Sequence, residues 1–350
     1  MKITKPILGI IGGGQLGSML CEAAKKLNIK TIILSDDKDS PAKNFSNKFI
    51  YSSYNDLNQI DKFTQLCDIV TFEFENIPFK ILNKINEKKS VLPEPSINKI
   101  IQNRFEEKKF INNLNIKTTE FTLINNLEDL YKNENLLPGM LKTCTLGYDG
   151  KGQYKINSLS EIKNLKINFK NQYILEKLVN LKKEISVILT RFKNNDCEIY
   201  EPIENVHKNQ ILINSKIPAC INKNNLIQSI DWSKKIAEKL NYIGTMCVEY
   251  FINKNNELYV NEIAPRVHNS GHLTINAFNI SQFENHIRAV CNLEKIKLQK
   301  ISNAEMLNIL GDEILNYKKK KLNKDEFFFD YLKTKIKPNR KMGHLTKLIK

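Results

Sequence analysis

Arginine and tryptophan are scarce in this sequence of 350 residues, whereas lysine is abundant. Only five of its 54 basic residues are arginines, it has one tryptophan, and its seven cysteines never form a C-x-x-C pair. No apolar run is long enough to cross a membrane, and the chain begins with a strand and a glycine loop rather than a signal peptide. Scattered cysteines indicate a reduced protein. We therefore expect a cytoplasmic chain that binds no membrane.

The formal net charge of +16 raises the question of nucleic-acid binding. The lysines are spread thinly, however, and no recognition helix or aromatic-interleaved basic motif stands out. We expect small anionic substrates and no nucleic-acid partner; a steep fall of affinity with salt would mark the alternative. Arginine recognises phosphate and carboxylate bidentately in a way that lysine does not. The rare residues Arg104, Arg266 and Arg340 are therefore informative.

A glycine loop follows the first predicted strand. The buried strand Ile7–Ile11 leads into G-G-G-Q-L-G and then into a helix with apolar residues at helical spacing. Strand, glycine loop and helix together are typical of dinucleotide binding, with Asp36 or Asp37 near the expected ribose position. A nicotinamide-dependent dehydrogenase thus remains one hypothesis.

Strands and helices continue to alternate as far as the strand 68–74, which predicts a doubly wound parallel sheet. Ligands bind beyond the carboxyl ends of strands in such sheets, so Gln15 and Glu73 are candidate ligand contacts. Ser96 is expected to cap one long helix that runs to about Asn113 and carries Arg104. The first domain should end near that point.

From Thr119 onward the sequence becomes rich in β-strand signals. One predicted strand ends in Lys142 and is followed by L-G-Y-D-G-K-G-Q, which places three glycines in six residues. Such a turn can lie over phosphates while a lysine balances their charge, although a plain hairpin turn is the simpler alternative.

The stretch 249–272 predicts a hairpin that ends in charged and polar residues. If Phe251 pairs with Leu258, or the register differs by two residues, Glu249 and Glu262 share a face; a slip of one residue would separate them. Paired carboxylates favour a magnesium site. His268 and His272 alone do not make a zinc site, because no third His or Cys lies at ligand spacing nearby.

These motifs together resemble those of the ATP-grasp ligases, and within them the 5-(carboxyamino)imidazole ribonucleotide synthetases. The motifs are G-G-G-Q-L-G, T-F-E-F-E-N, L-G-Y-D-G-K-G-Q, N-E-I-A-P-R-V-H-N-S-G-H and N-R-K-M-G-H. The resemblance implies an α/β and α+β chain with a Rossmann-like pre-ATP-grasp domain at 1–115, a small β-rich lid at 116–183 and a C-terminal ATP-grasp domain at 184–350. It also implies a homodimer that uses ATP, magnesium, bicarbonate and aminoimidazole ribonucleotide.

The resemblance carries over residue by residue. Implied ATP-binding residues are Arg104, Lys142, Gly147, Tyr148, Asp149, Gly150, Lys151, Gly152, Gln153, Glu176, Lys177, Leu178, Val179, Glu184, His207, Asn261 and Glu262. Implied substrate-binding residues are Gln15, Glu73, Tyr148, Asp149, Arg266, His268, Asn269, Lys333 and Arg340, of which Tyr148, Asp149, Arg266 and Lys333 would act in the chemistry. Glu249 and Glu262 would hold magnesium, Asp149 would orient or deprotonate the substrate amine, and Arg340 would bring the tail beside Gln15.

Four positions depart from the resemblance. Leu146, Leu332 and Asn339 stand where glycine is usual, and Val267 stands where proline is usual. These residues shape the backbone, so the geometry of their loops is the open question. Another ATP-grasp ligase, such as a formate-dependent glycinamide ribonucleotide transformylase, is the alternative enzyme, but it would not need the N-R-K-M-G-H tail.

Overall fold

Three β-sheets organise the computed structural model, which describes residues 5–147, 152–163 and 167–349. The first sheet is parallel, and the second and third are antiparallel. This arrangement confirms the predicted combination of a Rossmann-like domain, a small β-rich unit and a larger mixed unit. No helix in these ranges is both long enough and apolar enough to cross a bilayer.

The N-terminal sheet has the strand order β3-β2-β1-β4. Its elements are β1 Leu8–Ile11, α1 Gln15–Lys26, β2 Thr31–Ser35, a 3₁₀ turn Pro41–Asn44, β3 Lys48–Tyr51, α2 Leu57–Leu66, β4 Ile69–Phe72 and α3 Phe79–Asn86. Every residue of β1, β2 and β4 is buried. Helices on both faces of a parallel sheet explain why these strands are continuous apolar runs.

The predicted long helix after Pro93 is wrong. The chain forms α4 Pro95–Ile101 and α5 Arg104–Asn113 instead, and the first residue of α4 is Pro95, so Ser96 is not its cap. Asn103 adopts an extended backbone between them, and its side chain accepts hydrogen bonds from the amides of the first turn of α5. This capping makes Arg104 the first residue of a new helix.

The small sheet has the strand order β5-β8-β6-β7. Its elements are β5 Phe121–Ile124, α6 Leu127–Lys132, a 3₁₀ turn Glu134–Leu136, β6 Gly139–Thr143, β7 Gln153–Ile156, α7 Leu159–Ile162 and β8 Tyr173–Lys177. Its own apolar cluster includes Leu141, Ile156 and Leu175. The glycine-rich segment joins β6 to β7 at one end of this sheet.

The large sheet runs β14-β13-β9-β11-β12-β15-β17-β16, with β10 on β9. Its strands are β9 Leu181–Arg191, β10 Cys197–Ile199, β11 Ile203–Lys208, β12 Ile211–Ile217, β13 Gly244–Asn253, β14 Leu258–Ala264, β15 Asn303–Leu310, β16 Glu326–Asp330 and β17 Lys341–Ile349. Its helical segments are α8 Lys223–Lys239, a 3₁₀ turn Asn269–Leu273, α9 Thr274–Ala277, α10 Gln282–Val290 and α11 Glu313–Tyr317. The chain turns between α9 and α10, where the Gln282 amide donates a hydrogen bond to the Thr274 hydroxyl.

One apolar cluster joins the two ends of the chain. Leu20 of α1 packs with Phe283 and Ile287 of α10 and with Tyr331 after β16. A hydrogen bond of 2.8 Å between Thr71 and His286 adds a buried polar link. The N-terminal sheet and the tail are therefore held against the large sheet, which fixes the walls of the cleft between them.

Candidate active site

In the hairpin of β13 and β14, Glu249 and Glu262 are paired, although the register differs from the predicted one. Phe251 pairs with Tyr259 rather than Leu258, which is the one-residue slip that should have separated the carboxylates. The register then shifts between Tyr250 and Glu249, so that Glu249 pairs directly with Glu262. A β-bulge with one extra residue on β14 restores the facing arrangement and inserts Asn261. The predicted register was wrong, but the predicted pairing is present.

Each of these glutamates contacts a nitrogen-bearing side chain in the cleft. Glu249 Oε1 lies 3.0 Å from His268 Nε2, and Glu262 Oε2 accepts a 2.9 Å hydrogen bond from Arg104 Nη1. Burial would raise the pKa of Glu249, but its hydrogen bond to His268 and the nearby charges of His268, His207 and Arg266 hold that pKa at about 2. The carboxylate is therefore kept ionised, as a metal ligand must be.

Helix α5 contacts three consecutive residues of the bulged strand β14, Asn261, Glu262 and Ile263. In addition to Arg104 on Glu262, Lys108 Nζ donates to the Asn261 carbonyl at 3.4 Å. Glu107 Oε1 accepts a hydrogen bond of 2.6 Å from the Ile263 amide. Burial and the charge of Glu262 raise the pKa of Glu107 to about 8. Sequence reasoning missed Glu107 and Lys108, although they stand three and four residues after Arg104 on one helix face.

A buried carboxylate gathers two lysines at the edge of the small sheet. Met140 pairs with Glu176 in the ladder between β6 and β8, which puts Lys142 on the same face, diagonal to Glu176. Glu176 Oε2 lies 3.0 Å from Lys142 Nζ and 3.4 Å from Lys108 Nζ. Burial opposes ionisation, yet Lys108, Lys142 and Arg104 hold the pKa of Glu176 at about 2. Lys142 is thereby anchored facing the cleft.

Glu184 and His207 form a second pair on neighbouring strands. The ladder between β11 and β9 sets Asn205 beside Glu184, and His207 Nδ1 lies 2.7 Å from Glu184 Oε2. Burial would lower the pKa of His207, but Glu184 and Glu249 outweigh it and raise that pKa above its ordinary value. Lys177 instead turns outward to Glu120 at 2.9 Å. What Lys177 offers the cleft is therefore mainly its backbone.

The glycine loop is filled by a side chain of the protein itself. Glu73 accepts hydrogen bonds from the amides of Gly14 at 2.7 Å and Gly17 at 3.2 Å. Gly12 has a φ of +98°, and a Cβ there would lie 2.7 Å from Glu73 Cγ. The glycines therefore admit a carboxylate at the helix N-terminus where a dinucleotide would place its pyrophosphate. This contact removes the main support for the nicotinamide hypothesis.

The tail closes the same side of the cleft. Lys333 Nζ donates to the side-chain oxygen of Gln15 and to the Lys341 carbonyl. Arg340 Nη1 donates to the Lys335 carbonyl at 2.8 Å and also lines the cleft. Arg266 is ion-paired with Glu75. The expectation that the tail folds back beside Gln15 agrees with this arrangement.

A single cleft of about 840 Å³ brings most of the predicted residues together. Those lining it are Gln15, Glu73, Arg104, Lys142, Gly147, Gln153, Glu176, Lys177, Leu178, Val179, Glu184, His207, Glu249, Asn261, Glu262, Arg266, His268, Asn269, Lys333 and Arg340. Gly152 lies just outside it with a φ of +72°. Tyr148, Asp149, Gly150 and Lys151 lie outside the described residues.

Two amide side chains in the cleft have unused hydrogen-bonding capacity. Asn261 Oδ1 and both polar atoms of the Asn269 amide are buried and have no hydrogen-bond partner among the described residues. Buried polar groups are normally paired, so these atoms are suited to a ligand. They lie on the two sides of Glu262 along the chain.

Comparison with known proteins gives matches over almost the whole chain. The ATP-grasp domain matches residues 109–283, the ribonucleotide synthetase preATP-grasp domain residues 5–102, and the phosphoribosylaminoimidazole carboxylase C-terminal domain residues 304–350. The N5-carboxyaminoimidazole ribonucleotide synthase of Bacillus subtilis is 39% identical over 345 residues, which cover 97% of this chain and 90% of the relative.

Solved structures agree with these sequence matches. The N5-carboxyaminoimidazole synthetase of Staphylococcus aureus complexed with ADP has a TM-score of 0.92 at 35% identity, covering 98% of this chain and 93% of that one. The corresponding enzyme of Aspergillus clavatus, in complex with ADP and 5-aminoimidazole ribonucleotide, has a TM-score of 0.90 at 28% identity, covering 99% and 94%.

Proposed function

The chain belongs to the family of N5-carboxyaminoimidazole ribonucleotide synthases, which are ATP-dependent ATP-grasp ligases, and from this premise we propose how its cleft performs the reaction. Bicarbonate attacks the γ-phosphate of ATP to give carboxyphosphate and ADP. The exocyclic amine of aminoimidazole ribonucleotide then takes the carboxyl group and releases phosphate. The observation that carries the proposal is that Lys142, Glu262 and Lys333, from three separate parts of the fold, line one cleft.

ATP occupies the part of this cleft between the small and large sheets. Arg104 and Lys142 face its phosphates, and Gly147–Gln153 covers them. Residues 176–179 face the adenine, Glu184 the ribose, and His207 completes the pocket. The ion pairs of Arg104 and Lys142 support this assignment, since each cation is held in place by a carboxylate before any phosphate arrives.

Magnesium fits the residues beside that phosphate site. Glu249 and Glu262 face each other across the bulge, and Asn261 adds a buried oxygen to which no residue in the described part of the chain is hydrogen-bonded. Hard oxygen donors of this kind suit Mg²⁺, which would offset negative charge on the transferring phosphoryl group. Arg104 and Lys142 contribute to the same charge balance from the protein side.

Aminoimidazole ribonucleotide and bicarbonate occupy the part of the cleft between the N-terminal sheet and the tail. The residues that surround them are Gln15, Arg266, His268, Asn269, Lys333 and Arg340. The amide of Asn269 supports this placement, because it is buried and has no hydrogen-bond partner in the ranges that the structure describes. Glu73 acts through the glycine loop, because its carboxylate already holds the amides beside Gln15. Tyr148 and Asp149 complete this site, where Asp149 orients or deprotonates the amine.

Exclusion of water is required because carboxyphosphate is short-lived in water. The segment 147–152 lies between Lys142 and Gln153, both of which line the cleft. Its closure over the phosphates would shield the intermediate until the amine captures the carboxyl group. A homodimer is part of the proposal by analogy with the family, and nothing in this chemistry requires a second subunit.

Phosphate release and carbon incorporation together test the proposal. With ATP and magnesium, we expect full-rate phosphate release only when bicarbonate and aminoimidazole ribonucleotide are both present. Labelled carbon from bicarbonate should appear in the ribonucleotide product at one carbon per phosphate. Formate-dependent turnover of glycinamide ribonucleotide would instead support the alternative ligase. Tight NAD binding that is lost in Asp36→Ala would restore the dehydrogenase hypothesis.

A further inference from the structure

A thiol lies beside the proposed magnesium ligands although the reaction has no use for it. Cys247 is two residues before Glu249 on β13, so strand alternation puts both side chains on one face. The sulfur of Cys247, a carboxylate oxygen of Glu249 and a ring nitrogen of His268 all lie within 4.8 Å of one another. The sequence hid this cluster, because Cys247 stands 21 residues before His268 and only the hairpin brings them together.

From this geometry we propose that Cys247, Glu249 and His268 form a site for a thiophilic divalent cation, with Zn²⁺ as the best fit, and that this site inhibits the enzyme by taking Glu249 from magnesium. One sulfur, one nitrogen and one oxygen are a ligand set that zinc accepts and magnesium avoids. Zinc bonds of about 2.0–2.3 Å to such atoms span a cluster of this size with small side-chain adjustments.

The charges and the access route also suit a divalent cation. The thiolate and the carboxylate together carry two negative charges, and the thiol proton leaves to water when the metal binds. Glu249 and His268 line the cleft, whereas Cys247 lies behind them and is fully buried. A cation therefore enters from the cleft, and the coordination position that the three ligands do not fill faces the cleft. Two positive charges near Glu249 are already paired, Arg266 with Glu75 and His207 with Glu184.

The ring of His268 is fixed by contacts at both of its nitrogens, and Nδ1 also accepts a hydrogen bond from the Ser270 amide at 3.3 Å. His268 Nε2 points to Glu249 at 3.0 Å, and its Nδ1 lies 2.9 Å from Ser270 Oγ. The Ser270 hydroxyl continues to Ser186 at 2.8 Å, and Ser186 accepts a hydrogen bond from Asn205 at 2.9 Å. Such outer contacts fix the ring with Nε2 directed at the site, where the cation would replace the contact between Nε2 and Glu249.

Binding and inhibition have separate consequences. Binding at the three ligands does not depend on the proposed function, whereas inhibition does, since it requires that magnesium use Glu249. Occupation by zinc also withdraws His268 from the substrate side. Inhibition should therefore weaken as magnesium rises, because the two cations compete for one carboxylate.

Cobalt tests the binding, since a thiolate bound to Co²⁺ absorbs in the near ultraviolet. We expect this band in the unchanged protein and in the control Cys220→Ala, whose cysteine is exposed and remote from the cleft. It should be absent in Cys247→Ala and should be abolished by added Zn²⁺. A folded protein without the band, or a band that survives in Cys247→Ala, overturns the proposal. If the alanine variant does not fold, Cys247→Ser preserves the volume and removes the strong ligand.

Inhibition is then measured with free zinc set by a metal buffer at fixed magnesium and ATP. Both cysteine variants should keep magnesium-dependent activity. Cys247→Ala should need at least about tenfold more zinc for half inhibition, because loss of even an outer contact costs about 10–100-fold in metal affinity. Equal zinc sensitivity in both variants contradicts the inhibitory role, while the cobalt band still decides the binding.

Discussion

Leu332 offers a quantitative test of how this chain tolerates unusual residues in its loops. It precedes Lys333, which contacts Gln15, and its φ is +53°. A left-handed conformation costs a residue with a Cβ about 1–2 kcal/mol. Glycine removes that strain but gives the unfolded chain extra freedom worth about 0.4–1 kcal/mol. Since the side chain is 44% exposed, little packing is lost. We expect Leu332→Gly to leave the free energy of unfolding unchanged or raise it by up to about 1 kcal/mol.

Leu322 is a matched control, because it is 37% exposed, lies outside helices and strands, and has an ordinary φ. Leu322→Gly should be destabilising by about 0.4–1 kcal/mol or more, because glycine gives the unfolded chain extra freedom and removes part of the packing of Leu322, with no backbone strain to relieve. Urea unfolding midpoints of the two variants, compared at equal slopes, measure the difference. Equal losses in both variants would refute the argument from strain. Activity should survive in Leu332→Gly, since the backbone that presents Lys333 keeps its shape.

Four further substitutions and one control test the site. Glu262→Gln and Glu249→Gln should each cut turnover by about two orders of magnitude, and near-normal turnover of both variants at saturating magnesium would disprove the metal site. Glu262→Gln should also tighten the binding of metal-free ATP, measured by calorimetry, because Arg104 is released from its ion pair. Glu107→Ala should lower kcat and raise the magnesium concentration that activity requires, because the Ile263 amide loses its hydrogen-bond acceptor. Glu106→Ala, at the exposed neighbouring position, should change neither quantity, and equal effects of the two substitutions would disprove a role of the Glu107–Ile263 hydrogen bond. Arg340→Ala should raise the KM for aminoimidazole ribonucleotide about tenfold to a hundredfold and leave the KM for ATP unchanged, because the loss of a charged hydrogen bond costs about 1.5–3 kcal/mol. An equal rise of both KM values would indicate that Arg340 has a role in folding instead.

Local patterns predicted much of the fold because they depend on near neighbours. The strand, glycine loop and helix at Gly12–Gly17 and the hairpin after Gly244 follow directly from turn residues and apolar spacing. The prediction of one long helix up to about Asn113 is wrong for an equally local reason. The side chain of Asn103 caps α5 and so separates it from α4.

Long-range contacts could not be read from such patterns. Glu73 occupies the glycine loop across a separation of 56 to 59 residues, and Glu107 reaches Ile263 across 156. The bulge at Asn261 also depends on how β14 packs against α5. The correct pairing of Glu249 with Glu262 therefore came from an incorrect register.

The positions that depart from the family pattern show that backbone shape is retained where side chains change. Leu146, Leu332 and Asn339 all have a positive φ, between 53° and 61°. Asparagine tolerates this region, whereas leucine is strained in it. These loops thus have the backbone conformation that glycine would favour. The replacement of glycine leaves the shape of the loops unchanged and adds strain at the leucines.

The pairing of charges in the cleft suggests why metal and nucleotide should bind together. Arg104 is held by Glu262, and Lys142 by Glu176. A phosphate that takes Arg104 leaves Glu262 without a counter-charge in a partly buried site, which is costly. A magnesium ion that takes Glu262 supplies that charge and frees Arg104 for the phosphate in the same exchange. Each partner thus removes the cost that the other imposes, so the existing ion pair favours the magnesium complex of ATP over ATP alone.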